Sequence, residues 1–390
     1  MRVFLTLLGL ICQLLPETVS ATCQPVRERF ALQLKGTASR AEILMPPAEK
    51  PLALMVLIHG SDVADLDGSV VGSADEIIST PLKDVAVAMA CAGIATVRYD
   101  KRFVTGATTV DREKFGKATL QDFLGDAETA LQAAKGHGRL QTVPELAFGW
   151  SEGTTVAAAL AIKRPEIQGL ILQAPVMTSF AEKLPLDFPR VGAPYLRRYA
   201  KDGEVDAEAI ARAASGPGGV IAKIYVRMFK GFAPNETINP LLDTNKDGRI
   251  NIDKEAAPII AAWFADNANG GLGIYASTVA LPGIRSQLAF IKSPVLILQG
   301  ESDGAISDAD ALRLRDERLP NINVKIYPGL GHTLGPSTSP IEDRFLPIST
   351  VPLNDMVQWA VTIARKVSVE PNLNDHVKMR ITPTPLSLHD

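Results

Sequence analysis

Cysteine and histidine are scarce in this chain: 390 residues hold three of the first and five of the second. There is no CxxC pair and no Cys and His set at zinc-ligand spacing, so neither a dithiol redox site nor a structural zinc is encoded. Aromatic residues make up only 6%, and 43 acidic residues nearly cancel 40 basic ones, for a net charge of -3. With no basic run or basic face carrying interleaved aromatics, there is no footing for a phosphate backbone, and no nucleic-acid partner is expected. Apolar residues reach 46% and charged residues 21%, which excludes wholesale disorder and coiled-coil arrays. No apolar run attains the roughly 20 residues needed to cross a bilayer, so no membrane span is expected.

The N-terminus carries Arg2, an apolar run from Val3 to Leu15, and then Val19-Ser20-Ala21. This is the pattern of a secretory signal peptide over residues 1–21, cleaved after Ala21, and it predicts a secreted or periplasmic protein. Thr22 before Cys23 argues against a lipoprotein. Cys12 would leave with the signal. Cys23 and Cys91 remain, and an oxidising compartment would let them pair. Cys91, however, sits in the apolar helical stretch 82–93, where a buried free thiol is the commoner state.

Apolar segments of strand length at 53–60, 94–100, 145–150 and 169–175 alternate with helical patterns at 82–93, 118–136 and 154–164. Such alternation predicts an α/β chain whose mostly parallel sheet is covered on both faces. The alternation stops after residue 180 and resumes at 294–300, 308–319, 323–329 and 354–367. The interval 181–289 is too long for a loop in a compact domain, so it is expected to be a structured, mainly helical insertion. The core is then 22–180 with 290–367, followed by a loosely held tail at 368–390.

Gly149-Trp150-Ser151-Glu152-Gly153 fits GxSxG where a strand gives way to a helix. A sharp turn there strains the serine backbone, and small flanking residues let strand and helix approach. Upstream, the strand 53–58 delivers His59-Gly60-Ser61-Asp62 at its C-terminal end. The backbone N–H groups of Ser61 and Glu152 are the candidate oxyanion donors. Downstream, Asp303 and His332 each follow a strand end. The order Ser151, Asp303, His332 casts His332 as the base and Asp303 as the acid that fixes its tautomer. Glu301 and Asp308 are weaker candidates for the acid, and Asp308 is the natural cap of the next helix. His59 precedes the serine and is read as structural, while His137, His376 and His389 lie in a loop or the tail.

With these motifs the chain resembles the α/β-hydrolases, and more narrowly the bacterial serine hydrolases related to the prolyl oligopeptidase and serine aminopeptidase groups, many of them esterases. The resemblance rests on LMVLIHGS (54–61), GIATVRYDKR (93–102), Ser151-Glu152-Gly153 and His332. It spans roughly 50–180 and 290–367. Trp150, Thr154 and Arg102-Phe103 depart from residues common in those groups, which leaves substrate preference open. The resemblance implies an enzyme acting on a small-molecule acyl substrate, a carboxylic ester first, with no cofactor for catalysis; the signal pattern adds export. A peptidase, amidase or thioesterase of the same fold is the alternative, and a non-catalytic binding relative is a further one. The insertion is expected between the sixth and seventh core strands, as a cap over the edge of the sheet where ligands gather. In Asp100-Lys101-Arg102, an ion-pair network ordering the loop is favoured over contact with a substrate carboxylate.

Within the insertion, residues 243–255 begin like an EF-hand loop: oxygen ligands at Asp243, Asn245 and Asp247, then Gly248 for the turn. The twelfth position holds Lys254 instead of Glu, flanked by Asp253 and Glu255. A structural calcium held by Asp243, Asn245, Asp247, the Arg249 carbonyl and Asp253 or Glu255 is one reading. An Asx-rich turn before a helix is the other.

Overall fold

A computed structural model describes residues 23–378 apart from 48–49, 73–74 and 267–279. The expected signal peptide, 1–21, and the end of the expected tail, 379–390, lie outside the described residues.

Eight strands form the central sheet: β1 (Val26–Leu34), β2 (Thr37–Met45), β3 (Ala53–Ile58), β4 (Ile94–Tyr99), β5 (Glu145–Trp150), β6 (Ile167–Gln173), β7 (Val295–Gly300) and β8 (Ile322–Tyr327). Across the sheet they run β1-β2-β4-β3-β5-β6-β7-β8. The β1–β2 hairpin and the β2–β4 pair are antiparallel, and every pair from β4 to β8 is parallel. Every residue of β3, β5 and β7 is buried. That is why these segments read as continuous apolar runs rather than alternating ones: helices cover both faces. Successive side chains still go to opposite sides. Leu54, Val56 and Ile58 join one core, packed under α2 (Leu120–Lys135) and α3 (Gly153–Lys163). Met55 and Leu57 join the other, under α1 (Pro81–Cys91) and the C-terminal helix Thr350–Lys378.

The insertion lies between β6 and β7, the sixth and seventh strands, and has a core of its own around Phe188, Tyr195, Leu196, Tyr225, Phe229 and Ile252. It is mainly helical, with α4 (Ala207–Ser215), α5 (Val220–Lys230) and α6 (Ala257–Asp266) as its longer elements. A two-stranded ribbon pairs Glu204–Asp206 with Arg249–Asn251. It is fastened to the sheet domain by Arg190, whose guanidinium donates to the carbonyls of Asp303 (2.7 Å) and Gly304 (2.6 Å). The amides of Gly219 and Val220 donate to Ile341 and Asp343, each at 2.8 Å.

Three expectations change. Cys23 and Cys91 form a disulfide. The buried stripe of α1 is Leu82, Val85, Ala86, Met89 and Ala90, so Cys91 falls off it and is exposed at the helix end. Asp308 stands at the N-terminus of α7 (Ala309–Glu317) but makes no side-chain cap, since its backbone is already helical. The last helix, α8 (Thr350–Lys378), runs past residue 367, and Pro371 lies inside it. A proline in a helix costs a backbone hydrogen bond and bends the axis without necessarily ending it.

Candidate active site

β5 ends at Trp150 and α3 begins at Gly153, so the chain reverses over two residues. Ser151 pays for that reversal with a left-handed backbone, φ 55°, which strains a non-glycine residue by about 1–2 kcal/mol. The two glycines of the motif have distinct steric reasons. A Cβ on Gly149 would overlap the Gly153 carbonyl, and a Cβ on Gly153 would overlap the carbonyl of His59. The Ser151 amide donates to the Gln173 carbonyl at 2.9 Å, seating the elbow on β6. Thr154 stands where a further glycine is common. Its hydroxyl donates to the Ser151 carbonyl (2.5 Å) and accepts from the Val176 amide (3.2 Å), tying the elbow to the loop after β6.

Asp303 and His332 follow the ends of β7 and β8 and come together, both almost fully buried. His332 Nδ1 lies 3.0 Å from each Asp303 carboxylate oxygen. The Asp303 carboxylate also accepts the Ala305 and Ile306 amides, each at 2.7 Å, and the Gln299 side-chain amide at 3.0 Å. Burial pushes this carboxyl up, but the neighbouring His332 and the hydrogen bonds more than offset it and hold it below the usual carboxylate range. An ionised Asp303 keeps the histidine proton on Nδ1 and leaves Nε2 as the acceptor. The His332 carbonyl accepts from Trp150 Nε1 and Gln173 Nε2, both at 3.3 Å, and its ring lies 5.4 Å from that of Trp150. The histidine is thus packed on the residue before Ser151. No hydrogen bond joins the Ser151 hydroxyl to His332 in this structure. Catalytic contacts of that kind are commonly loose without ligand and tighten around substrate.

The loop after β3 reaches the same place. A Cβ on Gly60 would lie 3.3 Å from that of Ser151. Lys101 anchors this loop: Nζ donates to the Gly60 carbonyl (2.6 Å) and the Asp62 carbonyl (3.3 Å) and pairs with Glu152 at 3.0 Å. Among the described residues the amides of Ser61 and Glu152 make no hydrogen bond, which leaves both free to donate to a ligand. His59 is buried edge-on to Tyr99. Burial, reinforced by Lys101, pushes its pKa down to about 3, so it is a neutral structural residue. Arg102 pairs with Asp126 at 2.8 and 2.6 Å, and this pairing meets the expectation of a loop-ordering network. Glu301 is exposed and does not share the Asp303 position.

In the 243–255 turn, Asp243 and Asn245 oxygens both accept the Asp247 amide, at 3.2 and 2.9 Å, and Asp247 accepts the Arg249 amide at 2.9 Å. Glu255 folds back onto the Thr244, Asn245 and Asn251 amides. Asp253 instead faces Arg197 at 2.5 Å. Among the described residues no three acidic, His or Cys groups come together as a metal set. The side-chain oxygens of the turn accept its own amides, the hydrogen-bonding pattern of an Asx-rich turn.

Sequence reading missed Gln173, Gln299, Arg190 and Asp343. The two glutamines had a signal, a lone fully buried amide near the end of an otherwise apolar strand. The other two had none.

A family model described as serine aminopeptidase, S33, matches residues 78–228. That span holds Ser151 but neither Asp303 nor His332. No curated protein sequence matches the chain. Among solved structures, Est1E from Butyrivibrio proteoclasticus is 16% identical, with a TM-score of 0.45, covering 86% of this chain and 98% of its own. Proline iminopeptidase from Mycobacterium smegmatis is 13% identical, with a TM-score of 0.47, covering 87% and 98%. Dienelactone hydrolase from Anabaena variabilis is 14% identical, with a TM-score of 0.42, covering 87% and 96%. The mostly parallel sheet and the strand-to-helix elbow are those of the α/β-hydrolase fold, and over residues 78–228 the chain is similar to the serine aminopeptidase family.

Proposed function

We propose that the chain is an exported esterase that forms an acyl-enzyme on Ser151, with His332 as base and Asp303 as the acid that orients it. The observation that carries this reading is the Asp303–His332 pair packed against an elbow serine in left-handed conformation. His332 Nε2 takes the proton of Ser151 Oγ as Oγ attacks the ester carbonyl carbon. The charge that develops on the carbonyl oxygen is met by the Ser61 and Glu152 amides, held in register by Lys101. His332 then gives the proton to the departing alcohol. Water repeats the sequence on the acyl group and releases the acid. The acyl substrate is a small molecule, and the insertion serves as the cap that shapes its pocket.

Export is supported by the Cys23–Cys91 bridge, since disulfides persist in oxidising compartments. An aminoacyl amide is the second reading, favoured by the description of the matching family. A fluorophosphonate probe tests the nucleophile: the wild type is expected to label and Ser151→Ala not to, and equal labelling of both overturns the assignment. Turnover of short and long acyl esters against aminoacyl amides then separates the two substrate classes.

A further inference from the structure

We propose that Asp343 is a positioning residue that sets His332 against Asp303 and couples both to the insertion. This rests on the assignment of Ser151, Asp303 and His332 above. Asp343 is almost fully buried in the segment between β8 and α8. Its Oδ2 accepts the amide of His332 itself at 2.7 Å and the amide of Gly304, next to Asp303, at 2.8 Å. One oxygen therefore joins the acid loop to the histidine loop. Its Oδ1 accepts the Phe345 amide at 3.1 Å, and the Phe345 ring lies 4.7 Å from that of His332. The Asp343 carbonyl accepts the Val220 amide at 2.8 Å, at the first residue of α5. A single residue thus touches the acid loop, the histidine loop and the insertion.

Glycines make room for this residue, Gly331 and Gly304 for its side chain and Gly219 for its backbone. A Cβ on Gly331 would overlap the Asp343 carboxylate, and one on Gly219 would overlap the Asp343 carbonyl. One on Gly304 would come to 3.1 Å from the Asp343 Cβ. None of the three has a left-handed backbone, so close approach, not conformation, is their reason.

Charge adds a second consequence. Burial, then the nearby Asp303, pushes the Asp343 carboxyl up to about 6. Around it stand Asp303, His332 and, on the insertion side, Arg190 and Asp187, of which Arg190 and Asp187 reach it through Asp303. Above that pH, Asp343 is a second carboxylate beside the imidazole.

The test compares Asp343→Ala, Asp343→Asn and Gly331→Ala with the wild type, using ester kinetics and the downfield proton resonance of the His332 Nδ1–H. In Asp343→Ala, kcat is expected to fall on the order of 100-fold with KM little changed, because the base is no longer held in attack geometry. The resonance should shift or vanish while circular dichroism remains native. Asn keeps an acceptor oxygen for the Gly304 and His332 amides, so it should recover most of kcat. Having no titrating carboxyl, it should remove from the acid limb of the kcat/KM profile the ionisation that Asp343 contributes near pH 6. Gly331→Ala displaces the carboxylate without removing it, so it should reproduce the loss and covers the case in which Asp343→Ala does not fold. Wild-type kcat and an unshifted resonance in Asp343→Ala and Gly331→Ala overturn the proposal. A wild type that neither labels nor turns over esters overturns the esterase reading alone, since the resonance still reports whether Asp343 positions His332.

Discussion

Asp100, Lys101 and Arg102 form a run of three charges at the end of a buried strand, and the fold spends all three. Asp100 accepts from Arg40 at 2.5 and 3.0 Å and from the Leu66 amide at 2.8 Å. Lys101 holds the loop after β3, and Arg102 forms a two-pronged pair with Asp126. Nothing in the run is left over for a substrate carboxylate. Arg102→Ala should therefore act on stability rather than binding. It strands a buried Asp126, and breaking a buried pair from one side costs about 3–5 kcal/mol. Urea unfolding is expected to show that loss, with KM for an ester unchanged in the folded fraction. The deficit should depend on pH. Burial already raises the Asp126 carboxyl above its ordinary value, with Arg102 opposing. A carboxyl raised in the folded state destabilises when ionised, so the penalty in Arg102→Ala should be largest at neutral pH and shrink as Asp126 takes up its proton on acidification.

At the scale of elements, what the sequence conveys depends on whether a motif closes within itself. The Ser151 elbow was legible because its steric demands fall inside five residues, and Asp303 and His332 were legible because strand ends are where such sheets gather chemistry. The 243–255 turn was legible as a turn but ambiguous as a site. Its twelfth residue is Lys254, and only the folded chain shows that Glu255 bonds to Thr244 and Asn245 while Asp253 turns to Arg197. Asp343 was not legible at all, because its role exists only where two loops and the insertion meet. The turn allows a direct measurement. Since Asp243 holds the Asp247 and Gly248 amides, Asp243→Ala should lower the unfolding free energy by about 1 kcal/mol per lost hydrogen bond, and Tm with it. An Asx-rich turn leaves the wild-type Tm unmoved by calcium or chelator, whereas a ligand bound to the native state has to raise it. A rise with calcium that Asp243→Ala abolishes would return the turn to the EF-hand reading.

On the scale of the whole molecule, the sheet separates what stabilises from what reacts. Val26 pairs with Met45, and Leu44 pairs with Thr96, so the residues before β1 and the end of α1 meet at one end of the strands, where β4 begins. This register brings Cys23 and Cys91 to a Cα separation of 5.7 Å. The candidate site lies at the opposite ends of the parallel strands, beyond Tyr99, Trp150, Gly300 and Tyr327. The apolar composition around Cys91 concealed the pairing, since only the helical angle distinguishes its exposed side from the buried stripe. The bridge spans a sequence separation of 68 residues, for which loop closure in the unfolded chain gives a stabilisation of about 4 kcal/mol. In a chain of this size that corresponds to roughly 5 °C in Tm. Reduction with dithiothreitol, or Cys91→Ser, is therefore expected to lower Tm by that amount. Fluorophosphonate labelling of the folded fraction should stay unchanged, because no group at the site touches the bridge. Labelling that falls together with the disulfide at temperatures well below the transition would mean that a change at the start of β4 reaches Lys101 and the loop it anchors, and that the two ends of the sheet are coupled.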